Sequence, residues 1–358
     1  MAVAQLADRR SYNGILSGLV SYFSDAASTM EETSYDFSKP LVPVNVSFDY
    51  IDGKTEITLN DEEKLLEPFT YYRHVLSGKG LRKALLNAFN HHLGLPQVWI
   101  DGIVSIIEDL HNSSLLIDDI EDGSPLRRGS PTAHIKYGVA PAINSGNYVY
   151  FLTMAKAAAL ASEHGADSSE MTRVFIDEML ELHRGQGMEI WWRQNRVCPT
   201  VEQYLLMAER KTAGLLRLGV RLMQCHPKSP AKVDLSSLAV QIGVYYQIRD
   251  DYINLASTNY TSQKGFAEDI SEGKYGFPMI HSLMAAPNSG LAQILDQKPE
   301  AIPMKRKAID IIRRTGSFEA TVECLVQLRQ RLQDTLVAAG RNPGLERFLA
   351  ELSIEHIE

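Results

Sequence analysis

Cysteine is scarce: only Cys198, Cys225 and Cys324 occur, and they stand far apart. An odd number without CxxC spacing offers neither a disulfide framework nor a thiolate metal clamp. It fits a reducing compartment, so a cytoplasmic location is expected. No run of about 18 apolar residues occurs, so no membrane span is expected. The N-terminal stretch carries Asp8, Arg9 and Arg10 ahead of an apolar segment broken by Ser17. It has no small-residue cleavage site, and Asp8, Asp25, Glu31 and Glu32 argue against an organellar transit peptide. A basic excess is also missing. The 36 Lys+Arg against 44 Asp+Glu give a net charge of -8, which disfavours nucleic acid as a partner.

Proline is absent between Pro141 and Pro199, between Pro199 and Pro227, and between Pro230 and Pro278, leaving room for long helices. Apolar spacing inside these stretches is helical. Ile103, Ile107, Leu110, Ser114 and Ile117 follow steps of three and four, and the segment from Tyr204 to Met223 repeats the pattern. Sustained period-two alternation is confined to residues 42–59, where Asp52-Gly53 can turn a small hairpin. The expected architecture is all-α: one large helical domain over residues 61–358 behind an N-terminal extension, 1–60. Asp61 is placed to cap the helix EEKLLEPF, with Pro68 interrupting it.

The segment HNSSLLIDDIEDGSPLRRGS (111–130) holds most of the chemistry. On a helix, Asp118 and Asp122 lie about 40° apart on one face, with His111 and Ser114 on the same stripe. Asp118, Asp119, Glu121 and Asp122 repel one another unless they are solvated or bind a cation, and hard oxygen donors of this kind suit Mg²⁺. Gly123 and Pro125 end the helix, and Arg127-Arg128 follow at once. Carboxylates beside a double arginine fit a substrate held both through metal and by guanidinium, as a diphosphate is. Taken alone, the cluster reads more readily as a solvated helix end.

A second Asp-rich face changes that balance. In QIGVYYQIRDDYINL, Gln247, Asp250 and Asn254 share a stripe, and two such faces can hold one metal cluster from opposite walls. Around them lie Lys79 and Arg82 in SGKGLR, the pair Lys211-Thr212, and KGFAEDISEGK with Lys264 and Lys274 at its ends. Singly, each of these is an ordinary surface cation.

Together these residues resemble the trans-isoprenyl diphosphate synthases, and within them the geranylgeranyl diphosphate synthases of eukaryotic, fungal type. The likeness runs in order through LLEPF…SGKGLR, HNSSLLIDDIEDGSPLRRGSPTAH, INSGNYVY, ELHRGQGMEIWW, Lys211-Thr212, YYQIRDDYINL and KGFAEDISEGKYGFP. The resemblance implies an all-α isoprenoid synthase bundle with a central cavity, usually homodimeric. It implies that Asp118, Asp122 and Asp250 hold three Mg²⁺ ions on an allylic diphosphate, which Arg127, Lys211, Lys264, Lys274 and Gln247 also bind. Lys79, Arg82, His111 and Arg128 would bind isopentenyl diphosphate. Thr212 and Gln247 would stabilise positive charge beside the reacting carbons. The chain departs from the pattern at Asn254, where many relatives have Asp, at Tyr246, where Phe is usual, and at Glu189, where an Asp often stands.

Ionising an allylic carbon–oxygen bond leaves a carbocation and pyrophosphate, so catalysis of this kind rests on stabilising the leaving group's charge and excluding water. Product length depends on what fills the cavity below Asp118. Ser114 and Ser113 stand four and five positions upstream, where producers of fifteen-carbon chains usually place aromatics. Small residues there point to a twenty-carbon product. Two other readings stay open. A class I terpene cyclase shares the fold but needs a different second metal motif, and a non-catalytic partner subunit tends to lose the Asp motifs. The extension reads as an arm or as a linker to a fused cyclase domain.

Overall fold

The computed structural model describes residues 59–74, 80–230, 235–256 and 266–352. The extension up to residue 58 with its hairpin, Lys79 and Lys264 lie outside the described residues. In chain order the helices are α1 (Leu59–His74), α2 (Leu81–Leu93), α3 (Gln97–Asp122), α4 (Ala133–Tyr137), α5 (Val139–Glu163), α6 (Ser168–Asn195) and α7 (Val201–Lys211). They continue as α8 (Gly214–Gln224), α9 (Leu235–Ala256), α10 (Glu268–Glu272), α11 (Phe277–Ala285), α12 (Leu291–Asp296), α13 (Ile302–Arg314), α14 (Ser317–Ala339) and α15 (Pro343–Glu351). A two-strand antiparallel hairpin, β1 (Leu126–Arg127) and β2 (Ser130–Pro131), is the one sheet among the described residues. The all-α expectation is met.

Helix α3 is the hub, in contact with α1, α2, α5 and α8. Its threes-and-fours spacing wholly buries Ile100, Ile103, Ile107 and Leu110, each contributing about 1.5–3 kcal/mol. Trp99 anchors its far end, its indole N–H donating to the Met223 carbonyl at 3.2 Å. Gly123, in the left-handed conformation at φ 68°, closes it as the C-cap, so the carboxylates of its last turn end at the mouth of the bundle.

One expectation fails. Helix α1 begins at Leu59, so Asp61 lies within its first turn instead of capping it, and it runs through Pro68 without stopping. Phe69, Tyr71 and Tyr72 just beyond the proline bury against Leu116, Ala142 and Val149, and this packing outweighs the lost hydrogen bond.

Helix α9 packs against α7, α8 and α14. The approach is closest at Gly243, where an added Cβ would lie 2.4 Å from Ala213 Cα, so nothing larger fits. Ala213 follows Thr212 and Gly243 lies one turn before Gln247, so the absent side chain brings these two functional residues together. Among the described residues, no helix is long and apolar enough to cross a membrane.

Candidate active site

The four clustered carboxylates of α3 separate by helical phase. Asp119 turns inward and is 1% exposed. It accepts the Tyr72 hydroxyl and a forked pair from Arg127, with Nε 2.8 Å from Oδ2 and Nη2 2.6 Å from Oδ1. Asp119 therefore positions Arg127, whose Nη2 stays 3.6 Å from Asp118. Burial works against the charge of Arg127, but the Asp119 hydrogen bonds and charge raise its pKa further. Asp119→Ala is expected to cost about 3–5 kcal/mol in urea denaturation, because it leaves the Arg127 guanidinium with only the 3.6 Å contact to Asp118 in a largely closed site.

Asp118 and Asp122 face the other way, as their four-residue spacing requires. Gln186 of α6 donates to Asp118 at 3.1 Å and to Glu121 at 2.7 Å. Lys211, the last residue of α7, lies 3.5 Å from Asp118 and also pairs with Glu189. Asp122 shares its two oxygens between Arg193 at 2.6 Å and Lys274 at 2.5 Å. Burial works to raise the Asp118 carboxyl, yet Lys211, Lys274 and Arg127 hold it well below the usual carboxylate range. Asp122 moves up instead, burial outweighing Lys274.

The second Asp-rich segment meets the first through two consecutive residues. Lys211 touches Asp118, and the Thr212 hydroxyl next to it donates to Gln247 on α9. Gln247 donates in turn to Asp251 at 2.7 Å. Burial pushes the Asp251 carboxyl up to about 7, against the pull of hydrogen bonds from Tyr204, the Phe277 N–H and Gln247. Asp250 lies half-buried beside it. The Asn254 side-chain oxygen accepts the Asp269 N–H at 3.4 Å, tying α9 to the segment that carries Lys274.

A second cationic site forms around His111. Burial first, then Arg82, Arg127 and Arg128, hold its imidazole well below the usual histidine range, so it is neutral. Burial also lowers Arg82, with Arg128 adding to the effect. The hairpin places Arg128: it and Gly129 form the two-residue turn between β1 and β2, with φ of 53° and 77°. Both positive angles are what a tight hairpin of this length requires, and an arginine held there is under strain.

Ser113 is wholly buried, its hydroxyl donating to the Gly146 carbonyl of α5 at 2.7 Å. Ser114 is half-buried, and its hydroxyl bonds back to the His111 carbonyl at 2.9 Å.

The sequence profile of the polyprenyl synthetase family matches residues 62–312. The chain belongs to that family. A geranylgeranyl pyrophosphate synthase from Rhodocybe pseudopiperita is 51% identical over 343 residues, covering 94% of this chain and 97% of that protein. One from Clitopilus passeckerianus has the same identity and coverage. A terpene synthase from Matsumurasca onukii is 47% identical over 292 residues, covering 81% of this chain and 93% of that protein.

The structure brings together Asp118, Asp122, Arg127, Lys211, Thr212, Gln247 and Lys274, and gathers Arg82 and Arg128 with Arg127 around His111. Sequence reasoning missed Gln186, Arg193, Glu272, whose carboxylate pairs with Lys274 at 2.6 Å, and the contacts of Glu189 and Asp251. Gln186 and Glu189 lay inside the quoted ELHRGQGMEIWW block, where the stripe through Glu189 and Arg193 was the available signal. Among the described residues, no three carboxylate, imidazole or thiol groups converge closely enough to hold an ion by themselves. The donors fit Mg²⁺ nonetheless: they are hard oxygens, and Asp118 is held ionised by cations that a diphosphate can recruit.

Proposed function

We propose that the chain condenses isopentenyl diphosphate head-to-tail with dimethylallyl, geranyl or farnesyl diphosphate, and that its main product is geranylgeranyl diphosphate. The observation that carries this reading is the Lys211-Thr212 junction, which joins both Asp-rich segments in one site beside further arginines around His111. Two anionic substrates need two such sites, and a cyclase needs one. Asp118, Asp122 and Asp250 would hold the metal, with three ions expected. When bound, Mg²⁺ would supply neutralisation of the leaving diphosphate's charge.

The chain's own residues do the remainder. Arg127, Lys211 and Lys274 bind the allylic diphosphate, with Lys264 expected to join them. Arg82, His111 and Arg128, together with Lys79, hold isopentenyl diphosphate in register, which makes the encounter effectively intramolecular. The allylic carbon–oxygen bond breaks and the double bond of isopentenyl diphosphate attacks the cation. The proton then lost passes to an oxygen of the departing pyrophosphate. Thr212 and Gln247 turn oxygen dipoles towards the positive charge.

The test is a magnesium-dependent assay with isopentenyl diphosphate and each allylic primer, read by chromatography. A twenty-carbon diphosphate is expected; hydrocarbon from geranylgeranyl diphosphate alone would mark a cyclase.

The working unit is a homodimer in the cytoplasm, with residues 1–60 an extension, arm or linker, before the synthase domain. Two neighbouring helices carry exposed apolar stripes: Val139, Ile143 and Phe151 on α5, and Ile176, Leu180 and Trp191 on α6. Phe151 is 68% exposed and suits a shared face. Light scattering should give a dimer for the wild type and a monomer for Phe151→Glu; equal masses would reject this interface.

A further inference from the structure

Asp251 sits in the second Asp-rich segment, yet its carboxylate is turned away from diphosphate chemistry. One oxygen, Oδ2, accepts the Tyr204 hydroxyl of α7 at 2.6 Å and the backbone N–H of Phe277, the first residue of α11, at 2.8 Å. That N–H is one of the donors a helix leaves unpaired at its start. The approach depends on Gly276, where an added Cβ would lie 3.1 Å from the same oxygen. Three helices, α7, α9 and α11, thus converge on one buried carboxylate.

The other oxygen, Oδ1, is left for Gln247 Nε2 at 2.7 Å. An amide can ordinarily sit either way round, and only its partners decide. Here they do: a carboxylate oxygen takes the NH₂ end, so Gln247 Oε1 must face Thr212, whose hydroxyl donates to it. Thr212 directly follows the lysine that touches Asp118.

We propose that Asp251 is a positioning residue: it locks the Gln247 amide with its oxygen towards Thr212 and the reacting carbons, so that the negative end of the dipole faces the developing cation. This rests on the prenyl-transfer reading above. A metal ligand at this position would have its oxygens free for the ion; both are engaged by protein donors from three helices.

The experiment inverts the dipole. In Asp251→Asn, the introduced oxygen still accepts from Tyr204 and Phe277 while the introduced NH₂ faces Gln247. The Gln247 amide must then turn over and present its own NH₂ to the cation. The expected result is a kcat lower by roughly 10- to 100-fold, with the KM for the allylic diphosphate changed less than about threefold and the magnesium dependence unaltered. Adding Gln247→Glu restores an acceptor oxygen between Thr212 and the introduced amide, so the double variant should recover at least about tenfold of the loss. Tyr204→Phe keeps the carboxylate and loosens it, and should lower kcat about threefold to tenfold.

The proposal is overturned if Asp251→Asn raises KM or the magnesium requirement while kcat holds, or if the double variant is no faster than the single one. If circular dichroism shows Asp251→Asn unfolded, Tyr204→Phe decides: unchanged kcat rejects the proposal. A wild type that makes no elongated product in the same assay would instead reject the prenyl-transfer reading.

Discussion

Asp118→Asn should lower turnover by roughly 10³-fold or more, and added magnesium should not restore it. The reason lies in the charge state. Asp118 is the carboxylate that Lys211, Lys274 and Arg127 together keep ionised despite burial, so it stays an anion at the mouth of the site. An amide of equal size preserves packing and the Gln186 contact but removes the charge. Lys211 then keeps only Glu189 as an acidic partner among its ion pairs here, and the site loses the donor best suited to a hard cation. Circular dichroism should be unchanged, because the side chain is partly exposed and carries no core packing. Turnover within about tenfold of wild type would sink the assignment.

Ser114→Phe should shift the main product from twenty carbons to fifteen, read by chromatography after dephosphorylation. Ser114 is one turn below Asp118 on α3 and half-buried, its hydroxyl satisfied within its own helix, so a ring there meets no obligatory hydrogen bond from another element. Ser113 behaves differently. Its hydroxyl is bound to the Gly146 carbonyl, and an added Cβ at Gly146 would already lie 2.8 Å from Ile117. A phenyl ring at 113 has to force α3 and α5 apart, at about 1–3 kcal/mol or more. Product shortening in Ser113→Phe would therefore arrive with a lower Tm, whereas Ser114→Phe should shorten product at nearly normal Tm. Twenty-carbon product from Ser114→Phe would show that the channel floor lies elsewhere.

Much of the fold was legible because it is local. The apolar steps of α3, the Gly123 stop and the double arginine after it are short-range features, and each appears where the spacing puts it. Pro68 was misread because the strength of the Phe69, Tyr71 and Tyr72 contacts is set by α3 and α5, far away in sequence. The site divides along the same line. The residues proposed to face the diphosphates stand out by stripe and motif, whereas the side chains that hold them do not. Tyr72 and Asp119, Arg193 and Asp122, and Tyr204 and Asp251 are pairs between helices separated by dozens of positions. No periodicity within one segment can announce such a pair. Asp119 shows the limit most sharply, since a cluster of four acids offers no sign that one of them points into the protein.

The β1–β2 hairpin carries both arginines of the double-arginine motif. Arg127 is held by Asp119 and lies 3.6 Å from Asp118, while Arg128, the next residue, acts with Arg82 and Arg127 on His111. One peptide unit therefore joins the two arginines, and the positive φ at Arg128 sets the backbone from which both side chains leave. Under the proposed prenyl-transfer function, one residue more or less in the β1–β2 turn should change how the two diphosphates are held relative to each other.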